Sequence, residues 1–197
     1  MHLLFKHTKI NSKKEEKGLS LIESAMVLAL AATVTAGVMF YYQSASDSNK
    51  TQSAISEVMS ATSAINGLYI GQNGYTGLGV SVLKNSSAIP DNYKKDNEIT
   101  NPFGGQLMVA AAAQGSSGYG YTLKLTKLPK SACISLATLN LGTSAAGYGI
   151  NNADNVNSIG EILDTNKTKK TAITPAEAAG GNGCTRNDDN VVTYFMK

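Results

Sequence analysis

From Ala25 to Tyr42 the chain carries no charge and no proline, and Gly37 is its one glycine. This apolar run is 18 residues long. At about 1.5 Å rise per residue it spans roughly 27 Å as a helix, close to the ~30 Å hydrocarbon core of a bilayer. Counted from Leu19 the run reaches 24 residues with a single flaw, the carboxylate of Glu23. An acid near the end of an otherwise apolar helix is a functional-site candidate, because burying its charge in lipid is costly.

Proline stays absent as far as Ile89, and the polarity pattern changes after Tyr42. Over residues 43–70, Ile55, Val58, Met59, Thr62, Ile65 and Tyr69 fall at helical spacing and form one stripe. The pattern predicts a single long helix with two halves. The first half is apolar all round, and the second is amphipathic and able to lie on a sheet. Gly67 and the glycines from Gly71 to Gly79 end it.

Residues 71–105 are loop-rich, and Asn101-Pro102-Phe103-Gly104-Gly105 marks a turn. Two strands follow. Gln106–Ala112 is short and apolar, although its alanines also suit a helix. Tyr119–Leu128 alternates, with Tyr121, Leu123 and Leu125 on one face and Thr122, Lys124 and Thr126 on the other. Gln114–Gly118 forms the loop between them. A short helix is predicted over Pro129–Asn140, with Pro129 in its first turn. Tyr148-Gly149-Ile150 reads as a strand, and the polar segment 151–170 as a surface loop. Thr174-Pro175-Ala176-Glu177 has the order of a helix start: cap, proline, then an acid three residues after the cap. Val191–Met196 is a closing strand.

Charge sharpens the division near the start. Of 17 basic and 14 acidic residues, five and two fall within residues 1–18, which leaves 12 of each in the remainder. The basic segment stays on the cytoplasmic side of a membrane by the positive-inside bias. The neutral remainder lacks the basic surface that nucleic-acid binding requires. Both histidines, His2 and His7, precede Gly18. Beyond it there is no imidazole for acid–base catalysis, nucleophile activation or most zinc sites. The glycines of 71–79 lack phosphate-loop spacing, and segment 151–170 lacks calcium-loop spacing. The sequence offers no catalytic constellation, no metal site and no cofactor motif.

Gly18, Leu19 and Glu23, behind a basic leader and directly before the apolar helix, resemble the processing site of type IV prepilins. The resemblance implies that a prepilin peptidase cuts after Gly18 and that the new terminus, Leu19, is N-methylated. It also implies that Glu23 serves assembly. The long leader, Leu at the mature start and the wide spacing of Cys133 and Cys184 point to the type IVb branch. The wording of 19–66, of Thr174–Ala179 and of the final Val192–Lys197 is similar to longus-type major pilins of enteric bacteria. A plain signal-anchor helix, with Glu23 reaching back to the membrane interface, is the bland alternative.

The expected fold is α+β, a long N-terminal helix packed on an antiparallel sheet. The expected division is a leader (1–18), an apolar membrane or fibre-core helix (19–42), its amphipathic continuation (43–70) and a globular domain (71–197). If that domain lies outside the cytoplasmic membrane, Cys133 and Cys184 read as a disulfide bounding 133–184. Two unrelated buried thiols are the alternative. The implied function is that of a pilus subunit rather than an enzyme, with adhesion, microcolony formation and host colonisation as family roles. The implied partners are further copies of the chain, the peptidase, the inner-membrane assembly machinery, the inner membrane itself, minor pilins and a host-surface receptor. The precursor is expected in the inner membrane, leader in the cytoplasm and body in the periplasm, and the product in an extracellular fibre. A minor tip pilin, a type II secretion pseudopilin and a membrane-anchored binding module are the other readings.

Overall fold

A computed structural model of the protein describes residues 20–112, 118–152, 156–164 and 166–197. The expected leader, with Gly18, and the expected mature start Leu19 lie outside the described residues, as do 114–117 of the expected hairpin loop. The chain divides between Gln43 and Ser44 into two units.

Helix α1, Leu21–Leu68, is 48 residues long. In the first unit none of its apolar window is buried, and the window is long and apolar enough to cross a membrane. Its two threonines do not present free hydroxyls to the surroundings. Thr33 Oγ1 donates to the Leu30 carbonyl at 2.9 Å and Thr35 Oγ1 to the Ala31 carbonyl at 2.8 Å. Bonds of this kind let a helix carry threonine where water is absent.

The second unit holds the rest of α1 and all the strands. Its five-stranded sheet is built from β3 (Leu107–Ala111), β4 (Tyr121–Leu128), β5 (Ala145–Ile150), β6 (Thr168–Lys169) and β7 (Asn190–Met196). The spatial order is β3-β4-β7-β5-β6, and every neighbouring pair is antiparallel. The last strand of the chain is therefore the middle strand of the sheet. The register sets Val109 against Leu123, Leu123 against Tyr194 and Tyr148 against Tyr194. Alternation sends Leu107, Val109, Tyr121, Leu123, Leu125, Val192, Tyr194 and Met196 into one core with Ala54, Val58, Ala61 and Ile65 of α1.

The buried side of α1 includes Val58 and Ile65 of the predicted stripe, with Ile55 and Tyr69 packed against the core, but is turned toward residues outside it. Ala54, Glu57, Val58, Ala61 and Ile65 are buried, whereas Met59 is 57% exposed. Small alanines let the helix approach the sheet, and large side chains from the strands, Tyr121 and Tyr194 among them, supply the volume.

Residues 71–105 contain more structure than their glycines suggest: a short helix α2 (Val80–Lys84) and a two-stranded ribbon, β1 (Lys94–Lys95) with β2 (Glu98–Ile99). Leu83, Ile89 and Ile99 enter the core from this segment. The Asn101 turn is tied to β4. Its side-chain amide donates to the Thr126 carbonyl at 2.8 Å, and its Oδ1 accepts from the Phe103 and Gly105 amides at 2.9 and 3.1 Å.

Helix α3, Lys130–Ala137, begins one residue after Pro129, which occupies the N-cap position in extended conformation rather than the first turn. Helix α4, Pro175–Ala179, has the full capping box of Thr174 and Glu177. Cys133 of α3 is bonded to Cys184, beyond α4, with Cα atoms 5.9 Å apart. The segment 151–170, expected as surface loop alone, also supplies β6 and covers part of the second sheet face. Ile159 lies 8% exposed beside Gly147, where an added Cβ would come within 2.7 Å of Ile159 Cγ2.

Candidate functional site

The candidate site is the start and the apolar flank of α1. Ser20, the residue before the helix, donates its backbone N–H to Glu23 Oε2 at 2.9 Å, and its carbonyl accepts from Ser24 N–H at 2.9 Å. An acid three residues after the cap that reaches back to the cap's amide is one half of a capping box. It also places a negative charge at the positive end of the helix dipole. The Ser-x-x-Glu spacing of Ser20 and Glu23 is the sequence signal for this cap, and it sits directly before the membrane-length run.

Glu23 has no basic side chain near it along α1. The first lysine beyond it in the chain is Lys50, 27 residues further on. Gly18 and Leu19, the other two members of the predicted site, lie outside the described residues.

The apolar side chains on either side of Glu23 and along the run beyond it are exposed. Leu21, Ile22, Met26, Val27, Leu28, Leu30, Val34, Val38, Met39 and Phe40 are between 49% and 88% exposed. Removing a large apolar side chain from water is worth about 1.5–3 kcal/mol. Ten of them together represent on the order of 15–30 kcal/mol, above the roughly 5–15 kcal/mol that holds a whole domain folded. Such a surface requires lipid or other apolar helices around it.

Phe40, Tyr41 and Tyr42 close the run, 74%, 75% and 71% exposed. Aromatic side chains at the end of an apolar span suit the membrane–water interface, where the ring is apolar and the Tyr hydroxyl stays wet. Three consecutive aromatics in the sequence are the signal for such an end.

Elsewhere the polar groups serve the fold. Lys169 Nζ donates to Glu177 Oε1 and Oε2 at 2.8 and 2.9 Å, joining β6 to the cap of α4. Hydrogen bonding from Lys169, then from the Thr174 backbone, holds the Glu177 carboxyl down at about 2. Asn190, fully buried, donates to the carbonyls of Leu128 and Arg186 and accepts from Asn151 and the Arg186 amide. Among the described residues no group of three or more His, Cys, Asp or Glu is placed to hold a metal ion.

Comparison with known proteins gives this geometry a context. The family model described as Bundlin matches residues 43–197. The major structural subunit of bundle-forming pilus from Escherichia coli O111:H- is 66% identical over 195 residues, covering 96% of this chain and 99% of that protein. The subunit of the same description from Escherichia coli O127:H6 (strain E2348/69 / EPEC) is 66% identical over the same length and coverage. Two solved structures share the fold. A type IV b pilin from Salmonella typhi superposes with a TM-score of 0.54 at 20% identity, covering 73% of this chain and 97% of its own. A type IV pilin from Vibrio cholerae El Tor biotype superposes with a TM-score of 0.51 at 14% identity, covering 76% of this chain and 99% of its own. The family match over the whole second unit, the identity to two full-length relatives and the shared architecture place this chain in the bundlin family, with the fold of type IV pilins.

Proposed function

We propose that the chain is the precursor of the major structural subunit of a bundle-forming type IV pilus. The observation that carries this reading is the wholly unburied apolar half of α1, in a chain whose relatives of matching length are major pilus subunits. In lipid that surface anchors the precursor. In the fibre it packs against the same surface of other copies, so one apolar helix serves both states. The precursor stands in the inner membrane with its basic leader in the cytoplasm and its body in the periplasm.

A prepilin peptidase cuts between Gly18 and Leu19, and Leu19 is then N-methylated. The cut creates an α-amine about one helical turn from Glu23, the first cation available at that depth. We assign Glu23 the role of register acid. Its carboxylate exchanges the Ser20 cap for the amine of an incoming processed subunit, and the assembly machinery then extends the helix bundle by one copy. The product is an extracellular fibre that serves adhesion, microcolony formation and colonisation. Identity to two major subunits over nearly the whole chain supports the bulk of the fibre rather than its tip.

The test is mass spectrometry of the main band of sheared surface fibres. This reading expects a chain that begins at methylated Leu19. A fibre chain beginning at Met1, or after a cut beyond Tyr42, overturns it.

A further inference from the structure

Glu57 is the anomaly of the second unit. It is 4% exposed on the sheet-facing side of α1, among Ala54, Val58 and Ala61, each fully buried. Both of its carboxyl oxygens are buried without a hydrogen-bond partner. A carboxylate in such surroundings loses its hydration and gains nothing in return, so the neutral acid is the form that the core tolerates.

No neighbouring charge answers it. The ionisable groups of the core beneath α1 are the phenols of Tyr121 on β4, Tyr148 on β5 and Tyr194 on β7. Tyr194 donates to the Leu136 carbonyl, Tyr148 is engaged with Asn140 and the Leu141 amide, and the Tyr121 hydroxyl is, like the Glu57 carboxyl, buried without a hydrogen-bond partner. Lys124 alternates with Leu123 and Leu125 and so stands on the other face of β4. On the segment flanking α1, Lys94 is tied to Asp91 and the Ser86 carbonyl, while Lys84, Lys95, Asp96 and Glu98 contribute nothing to Glu57.

Glu57 shares a helical row with Ser60 and Ala64, three and seven residues on. Both of these line an open groove of about 570 Å³ between α1 and Ser86–Ala88.

We propose that Glu57 is a proton-operated latch between α1 and the sheet. Protonated, it stays in the core and α1 is seated. Deprotonated, it turns toward the Ser60–Ala64 groove to reach water and loosens the helix. Burial alone raises its pKa from 4.5 to about 7. The folded-state value lies above the unfolded one, so the folded state holds the proton more tightly. The stabilisation is complete below pH 4.5 and is lost as pH rises to about 7. The folding equilibrium constant falls at most tenfold per pH unit across that window, up to roughly 300-fold in all.

The experiment is urea unfolding of the full chain in detergent micelles at several pH values across that window, for wild type and Glu57→Gln. The proposal expects the wild-type folding constant to fall by up to about 300-fold toward neutral pH and the Glu57→Gln curve to be flat. Parallel curves overturn it. A direct titration of the wild-type Glu57 carboxyl carbon by NMR needs no variant. A midpoint near 7 supports the latch, and a midpoint at the ordinary carboxylate value of 4.5 overturns it.

Discussion

Cys133 and Cys184 are bonded across a sequence separation of 51 residues, with Cα atoms 5.9 Å apart. The bond ties α3 to the stretch behind α4, and between the two cysteines run β5, β6 and α4. Closing a loop of that size restricts the unfolded chain by about 4 kcal/mol in the chain-entropy account. The double variant Cys133→Ser/Cys184→Ser should therefore lose about 2–5 kcal/mol of stability. Urea unfolding measures the loss, and limited proteolysis should cut first between the two positions. Unchanged stability would remove the bond from the account of this fold.

The ion pair of Lys169 and Glu177 gives a pH dependence of opposite sign to that of Glu57. The folded Glu177 carboxyl is held at about 2, below its ordinary 4.5. Its stabilisation is present above 4.5 and is lost as pH falls toward 2. Because the pair is partly exposed, screening limits it to about 1 kcal/mol at most. Lys169→Met should flatten the acid limb of the stability curve and leave the limb toward neutral pH unchanged. Thermal melts at stepped acidic pH read this directly.

Tyr194 hydroxyl donates to the Leu136 carbonyl at 2.7 Å inside the core, which joins the middle strand to α3. Tyr194→Phe keeps the ring and removes one donor from that carbonyl, which still accepts from the Leu139 N–H at 3.1 Å. The expected cost is therefore that of a single hydrogen bond, about 0.5–1.5 kcal/mol, read by urea unfolding. A loss well above that range would mean that the hydroxyl holds more of the fold than this one bond.

Gly147 faces Ile159 and the Lys169 carbonyl, which a Cβ would approach to 2.7 and 2.9 Å. One of these neighbours is backbone and cannot turn aside. Gly147→Val should cost about 1–3 kcal/mol by overpacking. Hydrogen exchange should show faster opening of β5 and β6 in that variant than of β3.

Much of this architecture was legible in local pattern. The uncharged run, the alternation of Tyr121, Leu123 and Leu125, and the Thr174–Glu177 cap each depend on residues close together in the chain. The middle place of β7 was not legible, because strand order is decided by pairings such as Tyr194 with Leu123 and Tyr148, far apart in sequence. The face of α1 was legible only in part: Val58 and Ile65 lie in the core as the stripe implied, but Met59 does not. Periodicity gives weight to large apolar residues such as Met59, while close helix–sheet packing chose Ala54 and Ala61 and carried Glu57 in with them. The two-residue strand β6 is too short for any alternation to show. At the candidate site, the exposed apolar flank and the lone acid were legible, but the Ser20 amide as Glu23's partner emerged only from the geometry.

The central claim is that Glu23 sets the register of the polymer, and the most direct test is fibre assembly by Glu23→Gln. The variant keeps the side chain's size and its capability to accept from Ser20 N–H while removing the charge. Electron microscopy of surface fibres, combined with mass spectrometry of membrane fractions from the same cells, reads both halves of the claim. The account predicts processed chain beginning at Leu19, retained in the membrane, with fibres absent or sharply reduced. Fibres at wild-type yield and wild-type axial register would contradict it and leave Glu23 as a helix cap.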